Sequence, residues 1–146
     1  MSALPPVSAV VPHKPPMILI DELLEYVPLS SLSSLVRLTD RSQFVEAGRA
    51  PAVITLEYMA QTIAAYAGLT ERAKGLPAQK GFIIACREMV LEVDDLAAGD
   101  ELLVEIKEAW SHDALGHFDC KVSRAGEPIS RASLSVYQGE IGQAGE

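Results

Sequence analysis

Pro51-Ala-Val-Ile-Thr-Leu-Glu57-Tyr-Met-Ala-Gln61-Thr-Ile-Ala-Ala-Tyr-Ala-Gly68 is an apolar stretch with helical spacing and a carboxylate inside it. Glu57 and Gln61 are four apart and so share one helical face, amid Leu56, Met59, Ala60, Ile63, Ala64 and Ala67. Pro51 suits a first helical turn, while Gly68 marks a break point before Thr70 to Lys74 continue or fray the helix. The segment reads as a helix buried on nearly every side. An ionised carboxylate there costs several kcal/mol or more unless it is paired or protonated. Glu57 therefore calls for a compensating role, and chemistry is the foremost one.

Working outward, the helix is the one substantial helical segment. Before it, Pro5 to Pro16 forms an irregular, proline-punctuated entry, and Ile18 to Val27 and Ser34 to Leu38 read as strands separated by Pro28 and a Ser/Leu-rich turn. After the Gly75-Leu-Pro77 turn come four more strand segments: Gly81 to Val93, Glu101 to Ala109, Leu115 to Ser123 and Pro128 to Tyr137. Leu102, Val104 and Ile106 alternate with charged or outward positions, and Arg124-Ala-Gly126-Glu127 is a natural hairpin turn, so this half is expected to be antiparallel. A flat sheet cannot cover so apolar a helix. The expectation is an α+β domain spanning 1–146, its core about 11–138, with five or six antiparallel strands curled around one central helix and a loose tail from Gly139 to Glu146.

Composition narrows the function. With 49% hydrophobic and 22% charged residues the chain is globular, and a net charge of −8 disfavours binding to phosphate backbones, so nucleic acid is not an expected partner. No apolar run approaches the roughly 18 residues of a membrane span. The first residues lack a basic segment followed by an apolar one, so a cytoplasmic location is expected. Cys86 and Cys120 lie in strand-like apolar runs without paired spacing and read as reduced core residues; no metal is indicated. His112 and His117 flank Asp113-Ala-Leu-Gly116 and read as an exposed turn.

Several motifs resemble a known family. Pro12-His13-Lys-Pro-Pro-Met-Ile-Leu-Ile-Asp21 resembles the PHRxPxLLxD opening of β-hydroxyacyl-(acyl carrier protein) dehydratases of the hot-dog fold. Leu56-Glu57-Tyr-Met-Ala60-Gln61 resembles their EAxAQ central-helix motif, and Leu96-Ala-Ala-Gly99-Asp100-Glu-Leu-Leu their PGDxL strand entry. The resemblance runs from about Val11 to Tyr137. Pro51-Ala, Glu57 to Gln61, Gly81-Phe-Ile-Ile and Cys86-Arg87 are still more similar to the dehydratase-like subfamily associated with aryl-polyene biosynthesis. One departure stands out. Standard members carry Gly-His-Phe-Pro-Gly ahead of the helix, its histidine paired with the helix glutamate; here the corresponding stretch is Ser42-Gln43-Phe44-Val45-Glu46-Ala47-Gly48.

The resemblance implies dehydration of a 3-hydroxyacyl thioester carried on phosphopantetheine, with no further cofactor and with an acyl carrier protein as partner. That chemistry requires a base for the Cα proton, an acid for the departing hydroxyl and donors for the thioester oxygen. Glu57 is the expected proton carrier, against a buried ion pair with, for instance, Arg87. Helix N-terminal N–H groups around Val53 and Ile54 are expected to bind the oxyanion. Gln61 hydrogen-bonds Glu57, a substrate hydroxyl or backbone, or is a structural amide. His13 is the internal substitute for the missing histidine, or anchors the entry loop. Arg87 orients the carboxylate, meets a phosphopantetheine phosphate, or lies on the surface.

In the family, glutamate and histidine meet across a dimer interface, which implies a homodimer or a heterodimer with another hot-dog subunit. Tyr58, Met59 and Tyr66 read as core or dimer contacts, and Arg72, Lys74 and Lys80 as a basic patch for an acidic carrier protein. The leading expectation is a dehydratase or its Glu-bearing subunit; the alternatives are an acyl thioesterase on the same fold and a non-catalytic partner subunit.

Overall fold

The computed structural model of the chain describes residues 4–77 and 81–138. Eight strands and one long helix follow in the order β1 (Glu22–Val27), β2 (Ser31–Arg37), β3 (Arg49–Pro51), α1 (Thr55–Ala73), β4 (Gly81–Leu91), β5 (Asp95–Ala97), β6 (Glu101–His112), β7 (Leu115–Arg124) and β8 (Glu127–Gln138). Six of the strands form one antiparallel sheet in the order β1-β2-β6-β7-β8-β4, while β3 and β5 pair in a small separate ribbon. The sheet holds α1 in its concave side: Leu32, Val36, Leu102, Val104, Ile106, Phe118, Val122 and Leu134 face Tyr58, Met59, Ile63 and Tyr66 in one apolar core.

Local chemistry explains the connections. Ala125 and Gly126 both take positive φ, the pairing that a two-residue hairpin needs to match strand twist, so β7 turns into β8 where the sequence indicates. The first strand starts at Glu22 rather than Ile18, because the backbone of Met17 and Leu19 bonds to the Gln61 side chain instead of to a neighbouring strand. The second starts at Ser31, earlier than Ser34, since its register with β6 runs from Ser31↔Lys107 to Arg37↔Glu101. The β3–β5 ribbon falls in segments to which the sequence assigns no strand, and Pro51 ends β3 instead of opening the helix, which begins at Thr55. The tail from Gly139 to Glu146 lies outside the described residues.

The entry segment crosses α1 by backbone contact. A Cβ placed on Gly68 would stand 1.7 Å from the Val10 carbonyl oxygen, so this helical position has room for glycine alone. Val7, Val10 and Val11 are buried beneath this crossing, which holds the irregular segment against the helix and delivers His13 to its other flank.

The helix is not buried all round. Tyr58, Met59, Gln61, Thr62, Ile63, Ala65, Tyr66 and Leu69 are buried, whereas Glu57, Ala60, Ala64, Ala67 and Glu71, spaced by three and four, form a half-exposed stripe. α1 packs mainly on β2, β6 and β7, and among the described residues the stripe and much of the outlying strand β4 stay half-exposed or exposed. Cys86 is consequently exposed, not a core residue, while Cys120 is buried; both are free thiols.

Candidate active site

Glu57 sits in the first turn of α1, at the upper end of the bare stripe. His13 reaches it from the entry segment, Nε2 standing 4.0 Å from Glu57 Oε1, with side chains 29% and 40% exposed. The two residues line a cavity of about 290 Å³ with Ala60, Ile63, Ala64, Gly81, Ile83, Val136 and Gln138. His13 Nδ1 is buried without a hydrogen-bond partner among the described residues, so none of these fixes the ring's tautomer from behind. Glu57 is therefore less enclosed than its apolar neighbours in sequence indicate. Alanines line its flank, and their short side chains leave the carboxylate open to whatever covers the stripe.

Gln61 occupies a different environment, fully buried and saturated. Its Oε1 accepts from Leu19 N–H at 2.7 Å, and its Nε2 donates to the Met17 carbonyl at 2.7 Å and to Glu57 Oε1 at 3.3 Å. Both amide protons are thus committed within the chain. Gln61 ties the entry segment to the helix and aims the Glu57 carboxylate in the same act.

The remaining expected groups are not gathered here. Val53 is exposed and Ile54 half-buried in a short 3-10 turn, Ala52–Ile54, that leads into α1, and neither lines the cavity of His13 and Glu57. Arg87 is exposed on β4, opposite Ser133, and makes no ion pair with Glu57; an outward position in the edge strand separates the two. Arg72 and Lys74 lie exposed at the end of α1, Lys74 3.8 Å from Glu71, and Lys80 falls outside the described residues. His112 is exposed, but as the last residue of β6 rather than in the turn itself. His117 is not: it lies half-buried in β7, its Nδ1 2.9 Å from Ser135 Oγ and its ring stacked on Trp110.

The stretch standing where the family histidine is expected, Ser42 to Gly48, lies in a loop with positive φ at Phe44, Ala47 and Gly48. Ser42 and Gln43 line a separate cavity of about 440 Å³ with Tyr58, Arg37 and Arg41. This cavity shares no lining residue with that of Glu57; Pro16, Ile18, Leu19 and Asp21 of the entry segment wall it instead. Within one chain, the loop ahead of the helix and the helix glutamate serve different spaces. Sequence reasoning missed the polar couple deeper along α1, where Tyr66 donates to Glu108 Oε2 at 2.5 Å. The signal was faint, since a tyrosine and a glutamate 42 positions apart announce no partnership.

Comparison with known proteins places this geometry. Over 97% of this chain and 95% of the other, the structure superposes on the dehydratase heterocomplex ApeI:P from Xenorhabdus doucetiae with a TM-score of 0.90 at 20% identity. A hypothetical thioesterase with coenzyme A from Streptococcus pneumoniae TIGR4 is similar at TM-score 0.62 and 9% identity, covering 81% of this chain and 84% of that one. The E. coli PaaI protein of the phenylacetic acid degradation operon is similar at TM-score 0.62 and 9% identity, covering 82% and 79%. No curated protein matches the sequence. One central helix inside a six-stranded antiparallel sheet is the hot-dog fold that these structures share. Residues 5–145 match the ApeP-like family, described as ApeP dehydratase, and the chain belongs to that family as a dehydratase-like hot-dog protein.

Proposed function

We propose that this chain acts on 3-hydroxyacyl thioesters carried on phosphopantetheine, eliminating water to give the enoyl thioester in fatty-acid or polyene biosynthesis, and that a second hot-dog chain completes its site. The observation that carries the reading is the His13–Glu57 cavity opening along an uncovered helical stripe, away from the loop at Ser42 to Gly48. In the elimination a base takes the Cα proton, the Cα–Cβ double bond forms, and the Cβ–O bond breaks as an acid protonates the departing hydroxyl. Glu57 serves as the acid. The Cα proton goes to a histidine brought by the second chain, and His13 anchors the entry loop beside the carboxylate.

Strand β4 supports a two-chain assembly. It is an edge strand of eleven residues with Ile83, Ile84, Val90 and Leu91 exposed, an arrangement that invites pairing with another chain. The ApeI:P structure is itself a heterocomplex, which favours a heterodimer as the assembly. The acidic acyl carrier protein docks at Arg72 and Lys74, local cations on a chain of net charge −8.

The test is an assay with 3-hydroxyacyl pantetheine, following enoyl product and free thiol separately, on the chain alone and co-purified with its hot-dog partner. The expected result is little turnover alone and enoyl product from the pair. Glu57→Gln should then reduce turnover about a thousandfold, equivalent to about 4 kcal/mol in the barrier, while the fold persists. Free thiol without enoyl product would mean a thioesterase. Robust dehydration by the isolated chain, abolished in a folded His13→Ala variant, would replace the composite site with a homodimer in which His13 is the base.

A further inference from the structure

The two oxygens of Glu57 are unequally provided for. Oε1 accepts the Gln61 amide at 3.3 Å and faces His13 Nε2 at 4.0 Å, while Oε2 has no partner among the described residues. Gln61 is itself locked by Met17 and Leu19, so it always presents the same N–H. Oε1 is the held oxygen and Oε2 the open one.

His13 is held from both ends of its own segment. Upstream, Val10 is pressed against Gly68; downstream, Met17 is bonded to Gln61, and a turn in which Met17 N–H donates to the Lys14 carbonyl at 2.8 Å shortens the path between them. A neutral imidazole carries a single ring proton, and its place is set by what each nitrogen faces. Nδ1 is buried with no partner among the described residues, so a proton there would be an unsatisfied buried donor. Nε2 looks at a carboxylate oxygen, where a proton is attracted and a lone pair repelled. Both nitrogens favour the same state, with the proton on Nε2.

We infer that His13 is a positioning residue in its neutral Nε2–H form, donating with Gln61 to Glu57 Oε1, so that Oε2 is the oxygen that carries the proton to the departing hydroxyl. This rests on the dehydratase reading above. The 4.0 Å separation closes to a hydrogen bond when the second chain and substrate fill the cavity, as hydrogen bonds in empty catalytic sites commonly do. In the step itself the Cα proton goes to the second chain's base, its electron pair forms the double bond, and the Cβ–O bond breaks as the Oε2 proton joins the hydroxyl oxygen and water leaves. The charge left on the carboxylate is shared with Oε1, where two N–H donors stabilise it. An Nε2–H ring presents no lone pair to the cavity, so His13 takes no proton from Cα.

Two measurements test this. In the full chain with its histidine nitrogens isotopically labelled, above the ordinary histidine pKa of about 6.5, nitrogen NMR of His13, assigned by comparison with His13→Gln, should show a protonated Nε2 and a bare Nδ1. A protonated Nδ1 overturns the inference. In the chain co-purified with its hot-dog partner, His13→Leu removes the donor and should lower kcat for enoyl formation from 3-hydroxyacyl pantetheine about tenfold with little change in KM. His13→Gln, whose amide N–H reaches the same place but cannot act as a base, should lower it no more than about threefold. Equal rates in the two folded variants, whether both retained or both lost, overturn the inference and leave the dehydratase reading standing. Where the leucine variant fails to fold, His13→Gln and the ring spectrum decide, and loss of turnover in His13→Gln counts against the inference. No enoyl product from the unsubstituted pair overturns the dehydratase reading and the inference with it.

Discussion

Glu57 and Gln61 stand one turn apart on the same helix, yet they belong to opposite regimes. Gln61 lies on the covered side, 0% exposed, with its amide saturated by Met17, Leu19 and Glu57. Glu57 lies on the uncovered side, with a 40% exposed side chain and a histidine at 4.0 Å. The covered side holds the molecule together and fixes where the carboxylate points; the uncovered side keeps the carboxylate free. A substitution should therefore affect mainly stability on the first side and mainly function on the second.

The strongest way to break that comparison is at the backbone crossing. Gly68→Ala raises intrinsic helix propensity by about 1 kcal/mol, yet its Cβ would meet the Val10 carbonyl at 1.7 Å. The expected outcome is a net loss of at least about 3 kcal/mol in denaturant unfolding. A more stable variant would show that the entry segment is not clamped to the helix. Gln61→Leu comes next: it strands the Leu19 N–H and the Met17 carbonyl, and a loss of about 2 to 3 kcal/mol is expected by the same measurement.

Alkaline pH probes the covered side without mutation. Burial, with the nearby charge of Asp21, pushes the Tyr58 hydroxyl's pKa up to about 12 from the ordinary value of 10. Because the folded value lies above the unfolded one, this contribution is intact below about pH 10 and is lost between about pH 10 and 12, where only the unfolded chain ionises. At most about 3 kcal/mol should disappear over that window, and Tyr58→Phe should flatten the slope. The smallest effect belongs to the uncovered side. Glu57→Gln should shift unfolding free energy by less than about 0.5 kcal/mol, since the new amide oxygen can still accept from Gln61 and only a long, solvent-screened pair with His13 is lost. A large destabilisation there would make Glu57 a structural charge after all.

Periodicity and turn chemistry made the fold legible in outline. The helix follows from its apolar spacing, the C-terminal strands from alternation, and the β7–β8 hairpin from Ala125-Gly126. The three-residue strands β3 and β5 carry too few positions for any pattern to register. The start of β1 was hidden because a side chain 42 positions away takes up the Leu19 N–H. Ala60, Ala64 and Ala67 were read as buried because alanine suits a covered and an uncovered face equally. Cys86 misled for a related reason: apolar sequence registers that a strand calls for cover without registering which chain provides it.

The Gln61 clamp also sets when the site comes into being. Its bonds to Leu19 and Met17 join residues 42 and 44 positions apart, so no isolated helix or hairpin assembles them. Closing so long a loop belongs to the cooperative part of folding rather than to local fluctuation. Leu19 lies outside any strand, where a backbone amide ordinarily exchanges with solvent quickly, yet its N–H is capped by a fully buried carboxamide. The amide proton of Leu19 should therefore exchange as slowly as those of the sheet centre, and its loss marks the moment at which Glu57 is no longer aimed.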